Sequence, residues 1–359
     1  MEQEKNTKEE KGKIVLSGIR STGNLHLGNY FGALSKFVKM QDDYDCRYFI
    51  ADLHALTTNP DPKTLHESVK DIMAEYLAAG IDPEKNIIYV QSDVPEVAEL
   101  YLLLNMHVGI GELMRTASFK DKARKALGIT SDSDEIEKEI IGNQTNQRVN
   151  AGLLTYPTLM AADILMHHAD FVPVGKDQEQ HLELTRRFAR RFNSFYKTDY
   201  FKEPVNYNFG GQALKVPGLD GSGKMGKSEG NCIYLIDDEK TLRKKVMRAV
   251  TDEGPKEPNS PVSVPVENLF MLMGLVSEAD VIDHYRKAYA DCSIRYGDMK
   301  KQLAEDLLKV TLPIRERILD IRKDEDYLSK VVREGSERAR EHASRTVREV
   351  KDIMGVRRI

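Results

Sequence analysis

The sequence predicts an α/β protein: a parallel sheet with helices on both faces, followed by an all-helical C-terminal region. From Lys13 to about Asp199, short apolar runs alternate with segments whose apolar residues recur at helical spacing. Strand–helix–strand alternation of that kind builds parallel sheets. Beyond the glycine-rich stretch Gly218–Gly230 the character changes. From Asp238 onward the patterns are mainly helical, with few β-branched runs and many Lys, Arg and Glu. The 359 residues suffice for two domains and a large buried core. The boundary is expected near Leu235–Asp238, dividing 13–236 from 237–359.

In chain order, Met1–Lys13 alternates Glu and Lys with almost nothing apolar, so 1–12 is expected to be a disordered tail rather than a signal or transit peptide. Ile14–Gly18 reads as the first strand, leading through the glycines of Ser17–Tyr30 into an amphipathic segment, Phe31–Met40. Arg47–Asp52 is a second strand, with His54 just beyond it. Thr64–Ala79 is helical and stops at Gly80, a fitting C-terminal signal. Asn86–Val90 is a third strand and Glu96–Met106 a Leu-rich helix. Ligands in such sheets lie at the C-terminal strand ends, where His26, His54 and Gln91 are expected to converge. Residues 128–149 break the rhythm, acidic at first and then rich in Asn and Gln, and read as a solvated insertion. Helical periodicity returns at Leu153–His167, followed by a strand at Phe171–Val174 and a helix at Glu179–Phe192.

Composition excludes several classes. A hydrophobic content of 40% and a charged content of 31% describe an ordinary soluble protein, and no apolar stretch reaches membrane-spanning length. The net charge of −4 gives no global attraction to nucleic acid, so any RNA contact must come from local basic surfaces. Cys46, Cys232 and Cys292 are far apart and form no CxxC pair, which argues against a zinc site or a disulfide framework and for a reducing cytoplasm. No metal is expected at His167-His168 and Asp170 either, because adjacent helical residues point in different directions.

Two short stretches carry the chemistry. His26-Leu27-Gly28-Asn29 follows the first strand, where a small residue lets a nucleotide lie against the backbone between polar side chains. Neither common glycine-loop pattern for nucleotides occurs in the chain. Lys224-Met225-Gly226-Lys227-Ser228 offers two lysines, three apart, within reach of a triphosphate. Nucleotidyl transfer needs charge stabilisation on the phosphates as the leaving group departs. Alone, either stretch would also suit a surface turn.

Together they resemble the paired HIGH and KMSKS signatures of class I aminoacyl-tRNA synthetases. Gly152–Leu165 (Gly-Leu-Leu-Thr-Tyr-Pro-Thr-Leu-Met-Ala-Ala-Asp-Ile-Leu) and Val172–His181 (Val-Pro-Val-Gly-Lys-Asp-Gln-Glu-Gln-His) narrow the likeness to the tryptophanyl-tRNA synthetases. It covers nearly the whole chain from Ile14 onward, including Ala249-Val250-Thr251-Asp252, and implies a Rossmann-like parallel-sheet catalytic domain with a C-terminal all-helical, anticodon-binding domain. A helix starting near Pro157, a favoured first-turn residue, would set Tyr156, Met160 and Asp163 along one face. An indole needs that combination of apolar contact on its plane and one acceptor for its N–H.

The resemblance implies that Asp163 accepts the indole N–H, that Tyr156 and Gln178 hold the substrate's amino group, and that Met160, Val172 and Val174 line the pocket. It also implies that Arg20, Ser21, Thr22, Gly28 and Asn29 take the ATP phosphates and nearby atoms. Gly175, Lys176 and Asp177 would meet the ribose or adenine side and the backbone near Val216 the adenine. His26 and Asn29 belong to the first catalytic signature. Lys122 looks like the family's extra pyrophosphate lysine, while Lys224 and Lys227, in the loop with Met225, Gly226 and Ser228, would grip the leaving group.

Ser21 stands where the family often has Pro, Leu16 where an aromatic often lines the pocket, and Gly226 where the first Ser of the signature is usual, which should loosen the loop. The resemblance implies L-tryptophan, ATP with Mg²⁺, and tRNA as partners, a homodimer, and a cytoplasmic location. A tyrosyl-tRNA synthetase and a non-catalytic synthetase-like RNA-binding protein are the alternatives. Asp163 in its Met-Ala-Ala-Asp setting argues against the first, and the two retained lysines against the second. Arg333–Arg358 reads as a tRNA contact or a solvated helix.

Overall fold

The computed structural model describes residues 12–128, 149–175, 178–207 and 215–356. The expected tail and insertion fall outside these apart from Gly12, Gly128 and Val149, as do Lys176 and Asp177. The chain opens with β1 (Ile14–Arg20) and a helical run α1 over 27–40, whose middle, Tyr30–Leu34, is a π turn. Then come β2 (Asp45–Ala51), the single turn α2 (Asp52–Ala55) and α3 (Pro62–Ala78). Proline at its first position and the Asp61 side chain accepting the Thr64 N–H fix the start of α3. After β3 (Ile87–Val90) follow α4 (Glu96–Asn105), α5 (Ile110–Met114), α6 (Ala117–Leu127), α7 (Ala151–Met166), β4 (Phe171–Val172), α8 (Glu179–Tyr196) and β5 (Val205–Asn206).

The strands form one parallel sheet in the order β3-β2-β1-β4-β5. The order reverses between β1 and β4, and a crevice at the carboxyl ends of such a pair is where open α/β sheets bind ligands. Alternation along the strands divides the core. Val15, Tyr48, Ile50 and Ile88 join one apolar cluster, while Leu16, Phe49, Ile87 and Tyr89 join another. The expected strand over 171–174 is shorter, ending at Val172, since Pro173 has no N–H to continue the ladder.

The helix read from Pro157 begins earlier, at Ala151. Asn150 caps it, its side chain accepting the Leu153 N–H at 2.9 Å, and Pro157 lies in the helix interior. Tyr156 is therefore helical, although it precedes a proline.

The remaining helices are α9 (Glu239–Met247), α10 (Val264–Val276), α11 (Ala279–Ala290), α12 (Tyr296–Lys323) and α13 (Glu325–Met354). The apolar cluster does not stop at 236/237: Leu303 and Leu307 of α12 share it with Ile72 and Val15. The last helix, α13, returns to the sheet and covers the edge strand β3. Gly335 allows this, since a Cβ there would fall 1.7 Å from the Ile88 carbonyl oxygen. Arg338 donates to the carbonyls of Pro83 and Asn86, and Arg340 pairs with Glu96. Part of the basic stretch read as a tRNA contact thus fastens α13 to the sheet.

Candidate active site

The two signature stretches lie some 200 residues apart, yet the backbone joins them. His26 forms an antiparallel bridge with Tyr234: Leu27 N–H donates to Ile233 (2.9 Å) and Leu235 N–H to Leu25 (2.9 Å). Within the first signature, Asn29 Oδ1 accepts the His26 N–H at 3.1 Å. A Cβ on Gly28 would sit 2.8 Å from the His26 ring, so only glycine lets that imidazole lie over the backbone. The Leu25 N–H donates to both oxygens of the buried Glu75 on α3, at 3.1 and 2.9 Å.

Asn231 organises the lysine loop. Its Oδ1 accepts the Gly226 N–H at 2.9 Å, while its Nδ2 donates to Asp220 and to the Lys224 carbonyl. Gly226, expected to loosen the loop, has an extended backbone that any residue adopts (φ −148°), with its N–H so held. Met225 donates to the carbonyl of the buried Val216 at 2.8 Å. Lys227 Nζ reaches back to the Gly23 carbonyl (2.6 Å) and the Thr22 carbonyl (3.4 Å), which brings it to the turn after β1.

Electrostatics follow from this packing. Burial, and then Lys227 and Lys224, push the His26 imidazole down to about 4, so it is neutral near pH 7. Burial pushes the Glu75 carboxyl up to about 8 against the opposing pull of the Leu25 N–H and Lys227. Ser21 Oγ and His26 Nδ1 are buried without a hydrogen-bond partner among the described residues, the His26 ring beside Lys227 and Lys224.

A second cluster gathers where β2 and β3 end. Asp163, on α7, is 1% exposed. His54 Nε2 meets its Oδ2 at 3.1 Å, and Gln91 Nε2 donates to both carboxylate oxygens at 2.8 Å. Burial raises the Asp163 pKa, opposed by these partners. His54 and Gln91 therefore converge as expected. His26 keeps other company: its backbone bridges Tyr234, and Lys227 and Lys224 are the charged groups beside its ring.

Between the clusters lies Tyr156. Its hydroxyl meets His181 Nε2 at 2.5 Å, and Lys122 Nζ stands 3.6 Å from its ring centroid. Burial and the nearby Arg20 lower the Lys122 ammonium to about 8. Gln178, just before α8, meets His181 Nδ1 through Oε1 at 2.8 Å. Val172 is buried at the end of β4, Met160 is half-buried on α7, and Val174 donates its N–H to Asn206 Oδ1 at 3.3 Å. Gly175 is described, but Lys176 and Asp177 lie outside the described residues. His167, one of the two adjacent histidines, is buried between Arg47 (3.0 Å) and the Tyr89 hydroxyl (2.9 Å).

Glu75, Ser118 and His181 were given no role by the sequence reading. His181 carried one signal, its position three residues after Gln178 on a helical register.

Residues 8–311 match the family model described as tRNA synthetases class I (W and Y). A tryptophan–tRNA ligase from Porphyromonas gingivalis is 61% identical over 345 residues, covering 96% of this chain and 100% of that protein. One from Fusobacterium nucleatum is 41% identical, covering 96% and 98%. Among solved structures, the tryptophanyl-tRNA synthetase of Campylobacter jejuni, complexed with ADP and tryptophan, superposes with a TM-score of 0.81 at 32% identity, covering 95% of this chain and 99% of that one.

Proposed function

The chain belongs to the class I tRNA synthetases for tryptophan and tyrosine, and from that premise we infer that it joins L-tryptophan to its tRNA in an ATP-dependent reaction. In the first step a carboxylate oxygen of tryptophan attacks the α-phosphorus of ATP. The bond from that phosphorus to the bridging oxygen breaks, leaving tryptophanyl-adenylate and pyrophosphate. In the second step a ribose hydroxyl at the 3′ end of the tRNA attacks the adenylate's carbonyl carbon, and AMP departs.

The buried Asp163 carries the choice of amino acid. A carboxylate in an apolar setting must have donors, and the indole N–H would add one to those of His54 and Gln91. Tyr156 and Gln178 hold the amino group, with Met160, Val172 and Val174 along the ring. The turn from Arg20 through Thr22, with Gly28 and Asn29, receives the phosphates. The unpartnered Ser21 Oγ and His26 Nδ1 support this, being polar atoms kept at that spot. Gly175, Lys176 and Asp177 meet the ribose side and Val216 the adenine. Lys122, Lys224, Lys227 and the Met225–Ser228 backbone attend the departing pyrophosphate, where fixed positive charge lowers the barrier.

Mg²⁺ would accompany the phosphates of ATP and share their negative charge. The helical part, 237–359, receives the tRNA. A homodimer would cover Leu102, Met106, Ile110 and Phe195, large apolar side chains each more than half exposed, with His107 packed on the Phe195 ring at 5.1 Å. A cytoplasmic location fits a ligase that serves translation. No helix among the described residues is long and apolar enough to cross a membrane.

ATP–pyrophosphate exchange run with tryptophan, with tyrosine and with neither tests the reading. Exchange with tryptophan alone is expected. Exchange with tyrosine would overturn the assignment of Asp163, and none with either would favour a non-catalytic RNA-binding role.

A further inference from the structure

His181 is wholly buried and is assigned no contact with the substrate itself, yet it joins three elements of the site. Its Nδ1 meets Gln178 Oε1 at 2.8 Å, at the start of α8. Its Nε2 meets the Tyr156 hydroxyl on α7 at 2.5 Å and the Ser118 hydroxyl on α6 at 2.7 Å. Lys122 lies one turn along α6 from Ser118, with its ammonium on the Tyr156 ring.

The donors and acceptors of this network can be worked out. A carbonyl oxygen only accepts, so Nδ1 carries the ring proton and donates to Gln178. In the neutral imidazole Nε2 is then the acceptor through its single lone pair, which takes the Tyr156 hydroxyl at the shorter contact, with the Ser118 hydroxyl beside it. A tyrosine that donates to His181 acts toward any other group as an acceptor, through its phenolic oxygen. The same holds for Gln178 Oε1. An ammonium group offers donors only, so two oxygens fixed in the accepting sense are what it needs.

We propose that His181 is a positioning residue for the substrate's α-ammonium group. By holding Nδ1–H on Gln178 and accepting the Tyr156 hydroxyl on Nε2, with Ser118 packed beside it, it sets the Gln178 and Tyr156 oxygens as acceptors and fixes α6 against α7. This rests on the reading of Tyr156 and Gln178 given above. It adds a residue that touches no substrate and acts by orienting two that do.

The test compares two ligands that differ in the amino group alone: L-tryptophan and 3-indolepropionate. Their dissociation constants are measured by calorimetry for the wild-type protein, His181→Ala and His181→Asn. The asparagine variant keeps an amide donor near the place of Nδ1 and is the milder change should alanine fail to fold. Loss of an oriented hydrogen bond to a charged group predicts about 10- to 100-fold weaker L-tryptophan binding in His181→Ala, with a smaller loss in His181→Asn. The affinity for 3-indolepropionate should stay within about twofold of wild type, because that ligand has no ammonium to place. A merely structural lesion would weaken both ligands together. Parallel loss of both, or unchanged L-tryptophan binding, overturns the proposal while leaving the wild-type function intact. A wild-type protein that binds no tryptophan overturns the functional reading and this inference with it.

Discussion

The two ends of the site are built differently. The phosphate end is made of short local motifs, His26–Asn29 and Lys224–Ser228, brought together by the His26–Tyr234 bridge just beyond the second and by Lys227 reaching the turn after β1. Its lysine side chains are long, and Lys227 rests on main-chain carbonyls. The amino-acid end has its polar groups sunk into the fold: Asp163, Gln91 and His181 are at most 1% exposed, and each holds partners from other elements. Phosphates tolerate mobile charge, because triphosphate recognition rests on net attraction and positioning. Discrimination of one side chain requires donors and acceptors that cannot turn to suit another. The contrast predicts that lesions at one end change rate and those at the other change affinity.

The largest effect is expected at the phosphate end. Lys227→Ala should slow single-turnover adenylate formation roughly 100- to 1,000-fold, the usual cost of one fixed donor on developing charge. Tryptophan affinity should change little; a normal single-turnover rate would remove Lys227 from the chemistry. Next, Asp163→Ala should raise the tryptophan KM about 10- to 100-fold while ATP binding is spared, because the indole N–H loses its acceptor and His54 and Gln91 lose theirs. Steady-state kinetics with each substrate varied in turn would separate the two.

pH sharpens the comparison through Glu75 and Lys122. The Glu75 carboxyl is raised in the folded protein to about 8, so its protonated form is favoured there. Its contribution to stability is complete below the unfolded carboxylate pKa and is lost as pH rises through about 8. Relative to Glu75→Gln, the wild type should lose roughly 1–3 kcal/mol across that window, read from urea unfolding at several pH values. Parallel pH profiles would contradict it. Lys122 is lowered to about 8, so exchange should decline as pH rises through that value and its charge is lost. The smallest effect belongs to neither end. Arg340→Ala removes a half-exposed pair with Glu96 on α13 and should cost about 1 kcal/mol or less in unfolding, leaving exchange unchanged.

The same contrast explains what could be read from the sequence. The parallel sheet, its strands near 14, 47 and 87, and both phosphate-end motifs were legible because each is written in consecutive residues. Asp163 was legible because a carboxylate among apolar residues demands a partner, but its partners were not. Gln91 and His54 lie 72 and 109 residues away. His181 was hidden for a similar reason, since its role appears only when three helices meet around it. The helical stretch of α7 was legible from Leu153 onward, but Pro157 imitates a first-turn proline, while the cap at Asn150 sets the start. The basic α13 read as a tRNA contact or a solvated helix, and only Gly335 against Ile88 reveals it as a cover for the sheet edge.

The separation of the two ends is tested most directly by equilibrium binding of L-tryptophan, without ATP, to the wild-type protein, Lys227→Ala and Asp163→Ala. Wild-type affinity in Lys227→Ala together with a loss of about 10-fold or more in Asp163→Ala is the predicted result. Equal weakening in both variants would mean that the phosphate end and the amino-acid end form a single unit, and would contradict the account.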